Sequence, residues 1–305
     1  DREGINVKSV KPVSASKVEV EFEVPADSLP GLYPIRLVSE TGLSNVMMFS
    51  VGVLPNVEEK EPNSEFATPQ VIEKNVTVEG AVAREDEDYY QVELKEGELL
   101  TAELEGVRIK KGRSNPFFDP YVAILNSERF EMATSDDAPL LQQDCLCSMR
   151  APADGKYIIV VRDSSFGGNN DRYRLHVGSF PRPIAVVPAG GPPGALVDMT
   201  FVTATGDAWI EKVQLPSQPH DAYPLVVSNA QGVSPSPNFI RVQEMPNFVE
   251  QEPNNSFKES TAGALPGAYC GFIGEPGDTD YFSFEAKKNQ TVSIRLFARK
   301  ILRSE

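Results

Sequence analysis

The sequence has few cysteines, histidines and tryptophans, and it has no long apolar run. Among its 305 residues there are 3 Cys, 2 His and 1 Trp. Because widely spaced cysteines in odd number do not build a disulfide framework, Cys145 and Cys147 are predicted to be small buried side chains on one strand face. No apolar run reaches the roughly 20 residues of a membrane span. The chain opens at Asp1 without a signal peptide, so it is expected to be a processed product or part of a longer chain.

Positive charge is also scarce. The chain contains 29 Lys and Arg against 44 Asp and Glu, which gives a formal net charge of -15. Nucleic-acid backbones are bound by basic side chains, and no basic stripe is present, so nucleic acid is excluded as a partner. An acidic surface keeps a secreted protein soluble and attracts divalent cations.

Catalytic signatures are missing as well. The motifs Gly-x-Ser-x-Gly and His-Glu-x-x-His do not occur, and neither does a phosphate-binding glycine loop. His176 alternates outward on a predicted strand and is interpreted as a solvated surface residue, while His220 lies in a predicted turn. Trp209 is interpreted as a core residue of a small sandwich. The chain is therefore predicted not to be an enzyme.

An internal repeat organises the chain. The tripeptide Glu61-Pro62-Asn63 recurs as Glu252-Pro253-Asn254, 191 positions later. Two more pairs accompany it at offsets of 190 and 192 positions: Tyr33-Pro34 with Tyr223-Pro224, and Asp86–Tyr90 with Asp278–Phe282. Single-residue loop insertions account for the drift. The repeat unit is about 190 residues long, and the chain begins inside one unit and ends inside the next.

Period-2 alternation predicts strands throughout. Turn sequences at 95–98 and 287–290 predict that the strands beside them form β-hairpins, residues 156–161 are predicted to form a central strand, and the best short helix candidate is 64–68. The predicted inward-facing sets are Tyr90, Val92 and Leu94; Leu100, Ala102 and Leu104; Tyr173, Leu175 and Val177; and, in the second copy, Phe282, Phe284 and Ala286, then Val292, Ile294 and Leu296.

Proline and glycine recur at regular intervals between these strands. The 25 Pro and 22 Gly fall at the spacing of roughly 8–12 residues that is typical of a β-sandwich. The predicted fold class is all-β, with tandem β-sandwiches.

The order of these motifs resembles the bacterial pre-peptidase C-terminal domain. Glu-Pro-Asn, a strand ending in Gly, and Asp-x-Asp-Tyr-Phe are followed in family order by Asp119–Leu125, Ser135-Asp136-Asp137 and Ala151–Tyr157. The resemblance implies a jelly-roll-like, non-catalytic β-sandwich of the kind found beside secreted proteases and in adhesive multidomain proteins. The collagen-binding domains of clostridial collagenases are similar and bind calcium. The remaining segments resemble Ig-like pieces that alternate with such domains in large secreted or cell-surface proteins of Planctomycetes.

Four segments follow from the repeat and the resemblance. They are the C-terminal part of an Ig-like segment (1–56), a complete module resembling the pre-peptidase C-terminal domain (57–179), an Ig-like β-sandwich (180–247) and the N-terminal half of a second module (248–305). Because the half-module stops after the strand with Ile294 and Leu296, it is expected to leave an unpaired sheet edge. That edge is predicted to find a partner elsewhere or to be poorly ordered.

Acidic side chains of the repeated motif are the best candidate site. Calcium takes about 6–8 oxygen ligands, largely carboxylates and carbonyls, and four carboxylates brought together without a cation would repel one another. Ser64 stands where the second copy has Asn255, which leaves the first site one weaker ligand. The alternative interpretation is that Glu-Pro-Asn caps a turn and the Asp pair solvates a loop. The candidate calcium ligands are Glu59, Glu61, Asn63, Asp86 and Asp88, and Glu250, Glu252, Asn254, Asp278 and Asp280.

Two functions fit these features. The first is a non-catalytic repeat module, structural or adhesive, of a larger secreted or cell-surface bacterial protein whose partner is an extracellular polymer or protein. The second is an accessory region that binds polysaccharide or protein for a secreted hydrolase. An exposed stripe of aromatic side chains on one sheet would favour the second, and Tyr121, Tyr157 and Tyr173 are the residues to inspect.

Overall fold

A computed structural model describes residues 5–110, 118–138, 141 and 143–297 of the chain. The outer ends of the first and last predicted segments, 1–4 and 298–305, lie outside the described residues. The described chain divides into two compact units. One comprises 1–137, 143–180 and 230–237, and the other comprises 138–142, 181–229 and 238–305.

Strands make up nearly all of the regular structure. The first sixteen are β1 (Asn6–Ser14), β2 (Lys17–Glu23), β3 (Gly31–Ile35), β4 (Val38–Ser39), β5 (Gly42–Leu43), β6 (Met47–Val51), β7 (Asn56–Glu58), β8 (Gln70–Val71), β9 (Val76–Val82), β10 (Glu87–Leu94), β11 (Leu99–Glu105), β12 (Pro120–Leu125), β13 (Glu131–Ser135), β14 (Cys145–Arg150), β15 (Gly155–Asp163) and β16 (Asp171–Gly178).

Twelve more strands follow along the chain. They are β17 (Pro183–Val187), β18 (Gly190–Gly191), β19 (Leu196–Thr203), β20 (Ala208–Gln214), β21 (His220–Leu225), β22 (Ser228–Asn229), β23 (Gly232–Val233), β24 (Asn238–Val242), β25 (Asn247–Val249), β26 (Thr261–Gly263), β27 (Ala268–Cys270) and β28 (Phe282–Phe284).

The prediction of an all-β chain is confirmed. In the described part of the chain the only helix is a single 3₁₀ turn, Arg108–Lys110. The helix candidate at 64–68 is wrong: this stretch is a turn in which the Thr68 N–H donates to the Glu65 carbonyl at 2.9 Å. Among the described residues, no helix has the length and apolar character needed to span a membrane.

Two five-stranded sheets build the core of the first unit. Sheet A has the order β13-β12-β15-β10-β8, and sheet B has the order β14-β11-β16-β9-β7. One apolar cluster takes side chains from both sheets, including the three predicted inward sets at 90–94, 100–104 and 173–177. The prediction that 156–161 is central is confirmed, because β15 lies third in sheet A. Cys145 and Cys147 are buried in the same cluster, as predicted.

The predicted hairpin at 95–98 is wrong in its pairing. The turn forms, with the Glu98 N–H donating to the Lys95 carbonyl at 3.0 Å. However, β10 belongs to sheet A and β11 to sheet B, so the chain crosses from one sheet to the other. Both strands bury alternate side chains in the shared core from opposite sides, and alternation alone does not distinguish this arrangement from a hairpin.

His176 is buried rather than solvated. It does face away from the apolar core, but its side chain is 0% exposed because the outer face of sheet B is covered. Ser50, in β6, lies over this face and donates to Glu105 Oε2 at 3.3 Å. Alternation predicted the correct direction of the side chain, and tertiary packing determined that this direction is not toward solvent.

The second unit contains two three-stranded sheets with a core of their own. Their orders are β17-β19-β20 and β18-β24-β21, and their cluster includes Met199, Phe201 and Ile240. Trp209 packs against this cluster with its ring 5.3 Å from that of Phe201. The side chain is only partly buried, so Trp209 lies at the margin of the core rather than within it.

The repeated motifs pair identically in the two copies. β7 lies parallel to β9, and β25 lies parallel to β27. In the same way β8 lies parallel to β10, and β26 lies parallel to β28.

The second strand predicted in the later copy is absent. Residues 291–297 form no strand, and Ile294 and Leu296 are 80% and 86% exposed. In the first copy the equivalent strand, β11, pairs with β14 on one side and β16 on the other. No described strand lies beside 291–297, so this backbone has no ladder partner, and the hairpin predicted at 287–290 does not form.

Two valines of sheet A provide a matched test of the shared core. Val161 in β15 is fully buried between the sheets, whereas Val71 in β8 is 69% exposed. We expect Val161→Ala to lower the free energy of unfolding by about 2 kcal/mol through lost burial and a residual cavity, and Val71→Ala to leave it nearly unchanged. Chemical denaturation monitored by circular dichroism measures both. Equal effects would contradict a core between the two sheets.

Candidate metal centre

Three carboxylates of the first unit converge beside the start of β10. Glu61 lies in the lead-in segment (residues 57–63), Asp86 lies in the turn before β10, and Asp88 lies within it. One oxygen from each carboxylate lies within 4.8 Å of the others. The parallel pairing of β7 with β9 fixes where the lead-in segment leaves the sheet, and this delivers Glu61 to the two aspartates.

Asn63 completes this group from the inside. Its side chain is 0% exposed. Its N–H donates to Glu61 Oε2 at 2.9 Å, and its carbonyl accepts from the Tyr89 N–H at 3.0 Å. Among the described residues, neither Asn63 Oδ1 nor Asp88 Oδ1 has a hydrogen-bond partner. Buried acceptors without donors cost on the order of 1–3 kcal/mol each, so these two oxygens are open to a cation or to a proton donor.

Glu59 lies beside the group but is already saturated with donors. Its Oε2 accepts from the Ala81 N–H at 3.0 Å. Its Oε1 accepts from the Tyr90 hydroxyl at 2.7 Å. The Tyr173 hydroxyl, with one proton to donate, lies 3.0 Å from Glu59 Oε1 and 2.7 Å from Asp88 Oδ2. Asp88 Oδ2 thus has a donor beside it, whereas Asp88 Oδ1 has none among the described residues.

A glycine under the cluster makes this close approach of strand and carboxylates feasible. A Cβ at Gly80 would lie 2.5 Å from the Tyr173 ring and 2.8 Å from Glu59 Oε1. At the equivalent Gly271 of the second copy, a Cβ would collide with the Glu250 carboxylate. Both strands thus need glycine at this position.

The environment of Asp88 disfavours its charged form. Burial, followed by the charge of Glu59, raises the pKa of Asp88 from 3.8 to about 9. The Tyr173 hydrogen bond opposes this rise and does not cancel it. Without a cation the cluster therefore holds a proton at neutral pH, and a divalent cation is the ligand that would replace it.

The second copy builds a related cluster from Glu250, Glu252 and Asp280, with Glu250 in place of the equivalent of Asp86. One oxygen from each again lies within 4.8 Å of the others. Asn254 is 0% exposed, and its N–H donates to Glu252 Oε2 at 2.8 Å. Glu250 Oε2, Asp280 Oδ1 and Asn254 Oδ1 have no hydrogen-bond partner among the described residues. Burial raises the pKa values of Glu250 and Asp280, and neighbouring carboxylates add to the effect.

Two predicted ligands lie outside the carboxylate groups, Glu59 in the first copy and Asp278 in the second. Asp278 Oδ2 accepts from the Gly274 N–H at 2.7 Å, which closes a turn. The equivalent Asp86 also closes a turn, through the Ala83 N–H at 3.1 Å, yet lies in the carboxylate group. Asp86 Oδ1 accepts from Ser64 Oγ at 2.9 Å. In the second copy Asn255 Oδ1 instead accepts from the Thr279 N–H at 3.0 Å.

Sequence reasoning missed the tyrosine pair. Tyr90 and Tyr173 were assigned to the core by alternation, which is correct for their rings, but their hydroxyls are 2.5 Å apart beneath the cluster. The sequence did hold one indication that the Tyr90 hydroxyl matters. The two copies differ at this position, because Phe282 stands where the first copy has Tyr90. Among the described residues Glu250 Oε2 has no hydrogen-bond partner, whereas both oxygens of Glu59 accept hydrogen bonds.

The chemical type of the ligand atoms determines which cations suit the two clusters. Each cluster offers carboxylate and amide oxygens, and the described residues of each group include no His or Cys. Oxygen-only sets suit hard cations, and Ca²⁺ accepts irregular geometry with about 6–8 ligands completed by backbone carbonyls and water. The residues present therefore fit calcium.

Comparison with known proteins gives similarities at the level of structure. No protein-family model matches the sequence, and no curated protein matches it. The pre-peptidase C-terminal domain of a Bacillus anthracis collagenase is similar over 39% of this chain and 99% of its own, at 16% identity and a TM-score of 0.29. A periplasmic inhibitor of g-type lysozyme from Aeromonas hydrophila is similar over 36% of this chain and 95% of its own, at 16% identity and a TM-score of 0.27.

The raised pKa of Asp88 has a measurable consequence for stability. Below pH 3.8 the carboxyl is protonated in both folded and unfolded chains. Between pH 3.8 and about 9 only the unfolded chain is ionised, so in chelator the stability should fall as pH rises through this window. Asp88→Asn should flatten that decline and make the variant more stable than the wild type near pH 8. Denaturation in EDTA across this range tests it, and an unchanged slope would contradict the assignment.

Proposed function

We propose that residues 57–179 form a calcium-stapled, non-catalytic module in which the cation joins the lead-in segment to strand β10, and that 248–305 begins a second module of the same kind. One observation carries the proposal. Buried side-chain oxygens without donors occur at equivalent positions of both copies, Asn63 with Asp88 and Asn254 with Asp280. A turn cap or a solvated loop would not need such oxygens, because it would expose them or supply donors.

The proposed cation would bind next to β7, an edge strand of sheet B. β7 is an edge strand held to β9 through three residue pairs. Glu61 follows shortly after it and is exposed, whereas Asp88 is fully buried in the sheet. A cation bound by both would fix the lead-in segment and take the place of the proton that Asp88 holds in its absence.

We assign the module to a larger secreted or cell-surface bacterial protein with a structural or adhesive role. The ordered motifs that resemble the pre-peptidase C-terminal domain support this, as do two five-stranded sheets enclosing one core, which fit a jelly-roll-like sandwich. The acidic composition and the repeat support it further. An extracellular polymer or protein is the partner that such a module implies.

The arrangement of tyrosines favours this role over an accessory substrate-binding region. Tyr157 and Tyr173 are buried in the core. Tyr121 lies on the outer face of sheet A, but its hydroxyl donates to Glu131 at 2.7 Å and the Arg162 guanidinium lies 3.9 Å from its ring centre. The tyrosines under inspection thus form no exposed stripe on which a polymer could stack.

Calcium should raise the melting temperature of the chain. At a concentration 100 times its Kd, a ligand of the folded state stabilises it by about 2.7 kcal/mol. The double variant Glu61→Gln/Glu252→Gln should lose this rise, because each change removes a charged ligand from one cluster. Differential scanning calorimetry with calcium and then with EDTA measures the effect.

The matched control replaces two exposed carboxylates outside the clusters. Glu73→Gln/Glu285→Gln changes the net charge by the same amount and should keep the full calcium-dependent rise. A wild type whose melting temperature does not respond to millimolar calcium, or a control that loses the response, would count against the staple.

The two sites should differ in how much they depend on their first glutamate. Glu250 has an oxygen without a donor and acts as a ligand, whereas the two oxygens of Glu59 already accept from the Ala81 N–H and the Tyr90 hydroxyl. Glu250→Gln should therefore weaken calcium binding at its site by about tenfold or more, while Glu59→Gln changes the affinity of its site much less. Isothermal titration calorimetry resolves the two sites, and the reverse order would overturn the assignment of roles.

A further inference from the structure

The outer face of sheet B carries an amide, a hydroxyl and an imidazole side by side. Asn56 of β7 pairs with Thr77 of β9, and Thr77 pairs with His176 of β16. Paired residues of neighbouring strands project to the same face, with strands about 4.8 Å apart. The sheet thus places these three side chains in one row, the Asn56–Thr77–His176 row. Thr77 and His176 are fully buried, and Asn56 is exposed.

A buried base lies next to the Thr77 hydroxyl in this row. Thr77 Oγ1 is 2.8 Å from His176 Nδ1, and on the far side of the ring His176 Nε2 lies 3.4 Å from Glu105 Oε2. Burial acts to raise the pKa of Glu105, but the hydrogen bond from His176 and the charge of Arg108 outweigh it and hold that pKa below its ordinary value. The facing Glu105 carboxylate favours a proton on Nε2, which leaves the Nδ1 lone pair to accept from the Thr77 hydroxyl.

The amide neighbour of Thr77 is held as an electrophile. Arg174 Nη2 donates to Asn56 Oδ1 at 3.1 Å. The guanidinium itself is fixed by Glu79 at 3.3 Å and Glu105 at 3.6 Å. A cation on the carbonyl oxygen polarises the amide and is positioned to stabilise the oxyanion that forms when the carbon is attacked.

We propose that Thr77 and Asn56 form an intramolecular ester cross-link between β9 and β7. Thr77 Oγ1 attacks Asn56 Cγ while His176 Nδ1 takes the hydroxyl proton, and Arg174 faces the oxyanion of the tetrahedral intermediate. His176 then returns the proton to the amide nitrogen, the C–N bond breaks and ammonia leaves. One alcohol and one carboxamide become one ester and one ammonia, so no oxidant or cofactor is needed.

Burial favours the threonine over water as the nucleophile. Thr77 and its base are fully buried, so His176 activates the Thr77 hydroxyl rather than bulk solvent. Asn56 is at the exposed end of the row, so ammonia can leave. The bond ties the short edge strand β7 to β9 directly before the lead-in segment, and it forms independently of any cation.

The chain contains an internal control for this chemistry. In the second copy the equivalent of Asn56 is Asn247, and it pairs with Ala268 instead of threonine. That strand pair has an amide and no nucleophile opposite it. The chain should therefore lose one ammonia and not two.

Intact-mass spectrometry of the purified full chain tests the proposal. The wild type should weigh less than its sequence mass by one ammonia, and proteolysis should yield a branched peptide that joins Asn56 to Thr77. Thr77→Val and His176→Gln should restore the sequence mass, whereas Thr77→Ser keeps a hydroxyl and should retain the cross-link. Thr101 provides the control, because it is another fully buried threonine of sheet B and its hydroxyl lies 2.9 Å from that of Ser148. The variant Thr101→Val should have the same cross-linked mass difference as the wild type.

Three results would overturn the proposal. They are a wild type at its sequence mass after prolonged incubation, a gain in mass from deamidation of Asn56, and an ammonia loss that maps to other residues. If Thr77→Val does not fold, the branched peptide of the wild type decides on its own. Calcium has no part in the reaction, so adding EDTA during expression and purification should leave the cross-linked mass unchanged.

Discussion

Burial of the Asp88 carboxyl is the constraint on which the first unit depends. Its strand, β10, must bury alternate side chains in the core shared by sheets A and B, and this register places Asp88 inside the protein with Tyr90 next to it on the same face. A buried carboxyl needs partners or a proton. The surroundings supply Tyr173 on one oxygen and leave the other facing Asn63 and the exposed Glu61. The Asp88 carboxyl therefore accounts for three features around it. These are the position of the lead-in segment, the glycine at position 80 and the pair of tyrosine hydroxyls.

The two copies show how the same backbone tolerates two solutions. In the first, Ala81 and Tyr90 donate to the two oxygens of Glu59, and the Tyr173 hydroxyl lies between Glu59 and Asp88. In the second, Phe282 stands in place of Tyr90, the described residues hold no counterpart of Tyr173, and Glu250 Oε2 has no partner among them. The backbone hydrogen bonds of the lead-in segment are nevertheless the same, with Asn254 in the role of Asn63. Local chemistry has diverged on a conserved strand pairing within one chain.

Both faces of sheet B contain dense packing, but of different kinds. The inner face is apolar, whereas the outer face carries a buried polar network around Glu105, Arg174 and His176. Buried ionic groups contribute little net stability, but removing one partner is costly because the other is left uncompensated. Such a network fixes side-chain orientation, and this is what a reaction between Asn56 and Thr77 requires.

Much of this was determined by the sequence alone. Alternation gave the all-β class and the inward sets in β10, β11 and β16, because a strand's side-chain period is a property of the backbone. The repeat indicated that Glu61, Asn63 and Asp88 act together, and the structure does bring them together. The tertiary structure alone decided that β10 and β11 enter opposite sheets, that His176 is buried beneath the segment containing Ser50, and that the two oxygens of Glu59 accept from Ala81 and Tyr90. These outcomes depend on contacts between residues distant in sequence, whose partners no local pattern specifies.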